Sequence, residues 1–194
     1  MGNYEYIVSS LPALTLDWKF SEGATFDTYT GWIRTQLGKA DQKVMDTLLK
    51  GYDDSSLDRT FYEEALGDGN RFIREYFKTD LEVRNAKARF LNRAFGRPEE
   101  QDTIDIDTGE SSLAQRLEDV LSLGNLLERE HALDALMWDR IGEITIFDYF
   151  NLDAVLGFLA KLHIIWRWFA LDEETGRDMF KRLVDEVRKS AVKE

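Results

Sequence analysis

The chain has 194 residues, 43% of them hydrophobic, 12% aromatic and 32% charged, which is enough apolar content for one domain with a sizeable core and excludes a disordered chain. Its 25 Lys and Arg against 37 Asp and Glu leave a formal charge of −12, which opposes non-specific binding to nucleic acid or anionic lipid. There is no Cys, so disulfides, thiolate zinc sites and cysteine nucleophiles are excluded, and the N-terminus lacks a basic, apolar signal sequence. The cytoplasm is the expected compartment.

In chain order, the first dozen residues are ambiguous, because Tyr4, Tyr6 and Val8 alternate like a strand. From Phe26 the pattern turns helical through Tyr29, Ile33 and Leu37, and Val44, Met45, Leu48 and Leu49 mark a second helix. Leu57, Phe61, Ala65 and Leu66, then Phe72, Ile73, Tyr76 and Phe77, mark two more. Gly38, Gly51, Gly67, Gly96 and Gly124 fall at expected helix stops, and both prolines lie outside helix interiors.

Asp80 is a candidate cap for a further helix whose apolar face reads Leu81, Arg84, Ala88, Leu91 and Phe95, ending at Gly96 with Pro98 beyond. Arg84 lies in line with that stripe, as a salt-bridged residue or a partner contact. Asn85, Arg89, Asn92 and Arg93 fall beside or opposite it and form a polar, partly basic face, read as solvated or as a docking surface. Residues 97–112 then break the pattern, with Glu99, Glu100, Asp102, Asp105, Asp107 and Glu110 around two aliphatic residues. An acidic, mobile loop is expected there.

Ser112-Leu-Ala-Gln115 and Asn125-Leu-Leu-Glu128 are capping-box-like starts for two helices, the second carrying Leu133, Leu136, Met137 and Ile141 on one face. Asp148 is expected to begin a long helix whose apolar residues, from Val155 to Phe169, surround nearly its whole circumference. Such a helix is buried on most sides, and Val155, Leu159, Leu162 and Trp166 are its expected core residues. A membrane span is the alternative, but Lys161, His163 and Arg167 would sit at mid-bilayer at about 3 kcal/mol each. A final helix carries Met179, Phe180, Leu183, Val184 and Val187. The fold expected is all-α, a multi-helix bundle-like domain spanning 1–194 with a long buried helix near its C-terminus.

Candidate chemistry is sparse. Glu128 and His131 have the Glu-x-x-His spacing of di-iron bundle sites, but such a site needs a second copy, and Ala160 stands three residues before the other histidine, His163. Asp105-Ile-Asp107-Thr-Gly109-Glu110 places its glycine one position early for a calcium loop, and Arg116 stands where the closing Glu belongs. Gly67-Asp-Gly69 lacks the third glycine of a dinucleotide fingerprint, and no GxxxxGK[ST] phosphate loop occurs. His163 lies on the long apolar helix, where a histidine is ordinarily a satisfied core or edge residue. No catalytic constellation, cofactor site or metal site is expected. The rival reading is a small helical enzyme or ligand-binding protein with an aromatic and acidic pocket around Trp138, Trp166 and Trp168.

The spacing Glu82-Val-Arg-Asn85 recurs as Asp148-Tyr-Phe-Asn151, each opening a helix-like segment, which suggests a duplicated helical unit. Together with Tyr4–Pro12, Phe72–Phe77, Leu81–Asn85 and Asn151–Asp172, these residues resemble an uncharacterised bacterial family encoded among V-type ATPase subunits. That family is in turn similar to the C-type (also called d-type) subunits of V-type ATPases, which are all-helical and repeat-built and form a socket between rotor stalk and membrane ring. The resemblance implies a noncatalytic role in ion transport, peripheral to the membrane through the complex. Its implied partners are V-type ATPase stalk or membrane-ring subunits, with Arg84, Asn85, Arg89, Asn92 and Arg93 as the candidate contact residues.

Overall fold

A computed structural model describes residues 3–109 and 111–170. Among these the chain is all-α, with helices α1 (Tyr4–Ser10), α2 (Phe26–Gln36), α3 (Lys39–Lys50), α4 (Arg59–Leu66), α5 (Arg71–Phe95), α6 (Ala114–Leu121), α7 (Leu126–Ile144) and α8 (Leu152–Ala170). A single 3-10 turn, Asp54–Ser56, precedes α4. The expected final helix, Met179 to Val187, lies outside the described residues.

The central element is α8, which packs against α1, α2, α3, α5 and α7. A helix this apolar has no face to offer water, so its neighbours must enclose it. Val155, Leu156, Leu159, Ala160 and Ile164 join the main core with α3, α4, α5 and α7, while Leu162 and Ile165 pack with Phe20 and Phe26. Val155, Leu159 and Leu162 are fully buried as the sequence predicts, but Trp166 is only half-buried, edge-on to Phe20 at 5.2 Å. Two glycines permit close approach: a Cβ on Gly157 would meet Thr145 Cγ2 at 2.8 Å, and one on Gly51 would meet the Phe77 ring at 2.2 Å. Among the described residues no helix is long and apolar enough to cross a membrane.

Several local expectations are corrected. Residues 4–10 are helical rather than strand-like, because Tyr4, Ile7, Val8 and Leu11 pack on the core at helical spacing while Tyr6 is exposed. That period outweighs the alternation of Tyr4, Tyr6 and Val8. Residues 71–95 form one helix, not two, capped by Asn70, whose side chain accepts from the Ile73 N–H. Asp80 therefore lies inside α5 and caps nothing; its carboxylate accepts from the Tyr62 hydroxyl at 2.5 Å and Arg84 Nε at 2.8 Å. No Gly or Pro interrupts this stretch, so nothing opposes continuation.

The expected apolar face of α5 also fails at its C-terminal end, where Leu91 and Phe95 are exposed and Asn92 is buried. The Ser112–Gln115 capping box does not form: α6 starts at Ala114 without a side-chain cap, and Ser111 Oγ accepts from the Leu113 N–H instead. Asn125 does cap α7, accepting from the N–H groups of Leu127 and Glu128. The long helix begins at Leu152 rather than Asp148, with Asn151 accepting from the Ala154 N–H. Asn85 sits in mid-helix and Asn151 at a helix start, so the repeated acid–Asn spacing does not mark equivalent positions of a duplicated unit.

Leu159→Ala should cost about 2–5 kcal/mol in denaturant titration, because it opens a cavity at the centre of α8's packing. Gly51→Ala should also destabilise, by roughly 1–3 kcal/mol, since the added methyl collides with Phe77.

Candidate functional site

The five candidate contact residues lie on the C-terminal two-thirds of α5, and each is engaged by the chain itself. Arg84 pairs with Asp80 at 2.8 Å and Asp54 at 3.0 Å. Burial works against its charge, but Asp80, Tyr62 and Asp54 outweigh that and raise its pKa. Arg84 is thus an internal ion-pair residue linking α5 to the turn before α4.

The other four hold the acidic loop. Asn85 makes a reciprocal pair with Ile104, its Nδ2 donating to the carbonyl and its Oδ1 accepting from the N–H, both at 2.9 Å. Asn92 donates to the carbonyls of Glu99 at 3.1 Å and Gln101 at 2.5 Å. Arg89 reaches both carboxylate oxygens of Glu100, and Arg93 pairs with Glu99 at 3.4 Å. Ile104 and Ile106 pack against the main core. Residues 99–104 of the acidic loop are therefore held against α5, and the polar face read as solvated or as a docking surface is their seat. A buried Asn must find partners or cost about 1–3 kcal/mol, and the loop's carbonyls provide them. Beside this contact lies a half-open cleft of about 430 Å³ lined by Glu82, Asn85, Arg89 and Arg93, by Ile106, Thr108, Gly109 and Ser111, and by α6.

A second feature was not anticipated from the sequence. Between α7 and α8, Ile146, Phe147, Tyr149 and Phe150 point outward, with Phe147 82% and Tyr149 68% exposed. The residue between them, Asp148, turns inward. Its carboxylate pairs with Arg71 and accepts from Asn151 Nδ2 at 2.6 Å, and its N–H donates to the Thr145 carbonyl at 2.9 Å. Asn70, the cap of α5, donates to Asp153 at 2.6 Å. The starts of α5 and α8 are thus cross-linked behind the aromatic turn, which stands on a fixed base. The signal was present as Ile-Phe-Asp-Tyr-Phe, but periodicity alone assigned Asp148 to a helix start.

His131 stacks on Trp168 at 3.9 Å, Lys161 lies over Trp138 at 5.0 Å, and Trp166 packs on Phe20; Trp138 and Trp166 both lie against the cluster of Phe20, Phe26, Leu162 and Ile165. Among the described residues no group of three or more metal-ligating side chains gathers, and Glu128 is exposed at the start of α7. Asp134 is buried between Arg167 Nη1 at 3.0 Å and Trp168 Nε1 at 2.6 Å; burial pushes its carboxyl up while Arg167 pulls it back. Glu130 bridges Lys87 and Arg167, tying α5, α7 and α8 together.

His163 stacks on Tyr52 at 3.7 Å, edge-on to Phe26. The Tyr52 hydroxyl is buried without a hydrogen-bond partner of good geometry, and burial raises its pKa well above the ordinary value.

Residues 52–191 match a family model described as "Protein of unknown function (DUF2764)". The chain belongs to this family. No curated protein and no solved structure matches it. The DUF2764 match begins at Tyr52 and includes the pinned loop, the aromatic turn and α4 to α8, leaving α1 to α3 outside.

Burial, helped by the positive charge of Arg167 and opposed by Asp54, lowers the His163 pKa from 6.5 to about 4. The unfolded chain therefore takes up the proton first, and stability contributed at neutral pH is lost as pH falls from about 6.5 toward about 4. Between pH 7 and 5 the loss from this group should be about 2 kcal/mol. In urea titrations at the two pH values, His163→Phe should reduce the pH dependence by that amount, and an unchanged difference would exclude His163 as its source.

Proposed function

We propose that this protein is a noncatalytic component of a V-type ATPase assembly, docking on a partner protein through the aromatic turn at 146–150. The observation that carries the docking role is the turn itself: four large apolar side chains held outward on a base fixed by Asp148, Arg71 and Asn151. Water-exposed aromatics side by side are unfavourable in a free surface, and rigid aromatic anchors are the groups that dominate binding energy at interfaces. Because Asp148 is already committed inward, little ordering entropy remains to be lost on binding.

The choice of partner rests on the resemblance of Phe72–Asn85 and Asn151–Asp172 to the family encoded among V-type ATPase subunits, and through it to the C-type socket proteins. In that reading the chain is a C-type connector between rotor stalk and membrane ring. It is cytoplasmic and peripheral to the membrane, and it transmits force through its interfaces without binding nucleotide. The enclosure of α8 by five helices suits a rigid body of this kind.

Affinity-tagged protein recovered from its own cells, under salt that keeps the complex intact, should bring V-type ATPase stalk or ring subunits with it, and the purified chain should not hydrolyse ATP. Phe147→Ala with Tyr149→Ala should weaken that association at least about 30-fold, some 2 kcal/mol, while circular dichroism stays native. Recovery of no ATPase component would sink the assignment; full recovery with the double variant would remove the turn from it.

A further inference from the structure

A further apolar patch lies at the far end of α7 from the aromatic turn. Leu91 and Phe95, on the last turns of α5, are 46% and 68% exposed, and Leu126 and Leu127, which open α7, are 67% and 56% exposed. The two helices run antiparallel, since Glu75 meets Arg140 at 2.9 Å and Lys87 meets Glu130 at 2.9 Å. Leu91 stands four residues after Lys87 and Leu126 four before Glu130, so both fall one turn beyond that last contact, side by side. Arg129 fixes the base of the patch, lying 4.6 Å over Phe90 and donating to the Leu123 carbonyl at 2.6 Å.

The end of α8 delivers the chain to the same place. Arg167 reaches Asp134 at 3.0 Å and Glu130 at 3.8 Å, and Trp168 stacks on His131, one helical turn from Leu127. The helix ends at Ala170, and residues 171–194 follow it in the sequence. They carry Met179, Phe180, Leu183, Val184 and Val187 at helical spacing, a stripe that needs an apolar surface to cover it. The family match extends to residue 191, so the stripe belongs to the same shared region as α5 and α7, whereas α1 to α3 lie outside it.

We infer that this C-terminal segment docks its stripe on Leu91, Phe95, Leu126 and Leu127 and so closes the end of the bundle remote from the aromatic turn. The inference does not depend on the role of the turn. Reach and size both fit. Residues 171–178 span up to about 26 Å when extended, against about 6 Å for the turn that separates His131 from Leu127. As a helix the stripe is about 13 Å long, and the patch bridges two helices whose axes pack about 8–10 Å apart. Charge fits as well, because Asp172, Glu173, Glu174 and Asp178 precede the stripe, while exposed Arg93 and Arg97 flank Phe95, Arg97 lying 5.3 Å over its ring. The covalent tether decides between this segment and any other occupant. It presents the stripe at an effective concentration on the order of mM, which a second copy or a separate protein does not match.

The chain has no Cys, so two introduced thiols can be joined selectively by a short bis-maleimide. In the full-length protein, Glu128→Cys, beside Leu127, is combined with Asp178→Cys or with Glu186→Cys, which stand before and along the stripe. At least one pair should give an intramolecular link, at roughly tenfold the yield of the same position paired with Glu143→Cys, about 22 Å further along α7. Equal yields at the two α7 positions, or no link from either segment position to Glu128→Cys, overturn the inference. Adding Leu126→Asp with Leu127→Asp should abolish the link while circular dichroism stays native, because acidic residues suit the first turn of a helix. A link that survives this change overturns the inference too. Should that variant not fold, Phe180→Asp with Leu183→Asp replaces it, with the same loss expected and the same survival counting against the docked stripe. A linked product of twice the chain's mass on a denaturing gel would make a second copy the occupant, and overturns the assignment to the chain's own segment.

Discussion

Everything in this structure depends on the burial of α8. A helix with apolar side chains on nearly every side gains about 25 cal/mol for each Å² of apolar surface removed from water, and it gains that fully only when surrounded. Five helices do so, and the close approach of α7 is possible because Gly157 carries no Cβ to meet Thr145. Two cationic residues of α8 lie where the enclosure thins, Lys161 over Trp138 and Arg167 between Glu130 and Asp134, while His163 is enclosed against Tyr52 and Phe26. A central helix fixed in this way leaves the functional features to the elements at its two ends and to the outer face of α5.

Those features differ in how they are held. The aromatic turn is mounted on charges turned inward, so that the apolar groups are left outside; Asp148 and Asp153 serve Arg71 and the two helix caps, Asn70 and Asn151. The acidic loop is the converse, its charges largely outward and its backbone carbonyls and aliphatic residues taken inward by Asn85, Asn92 and the core. A turn of the first kind leaves apolar groups in water, and a loop of the second kind is built into the fold through its backbone.

The helical content and the central position of α8 were determined by the sequence, because both follow from local periodicity and from the shortage of polar residues between Val155 and Ile165, which any packing must respect. Asn125 as a cap was equally local, since a cap is satisfied within its own first turn. Tertiary structure decided what to do with polar residues whose partners are distant in sequence. Asp80 reads as a cap until Tyr62 and Arg84 claim its carboxylate; Asn92 reads as solvated until the carbonyls of Glu99 and Gln101 bury it; Asp148 reads as a helix start until Arg71 draws it inward and leaves Phe147 and Tyr149 in water. A hydrogen-bonding group does not encode in its own neighbourhood which of several partners it will meet, whereas an apolar group needs only to be covered, and that is why the core was legible in the sequence and the candidate sites were not.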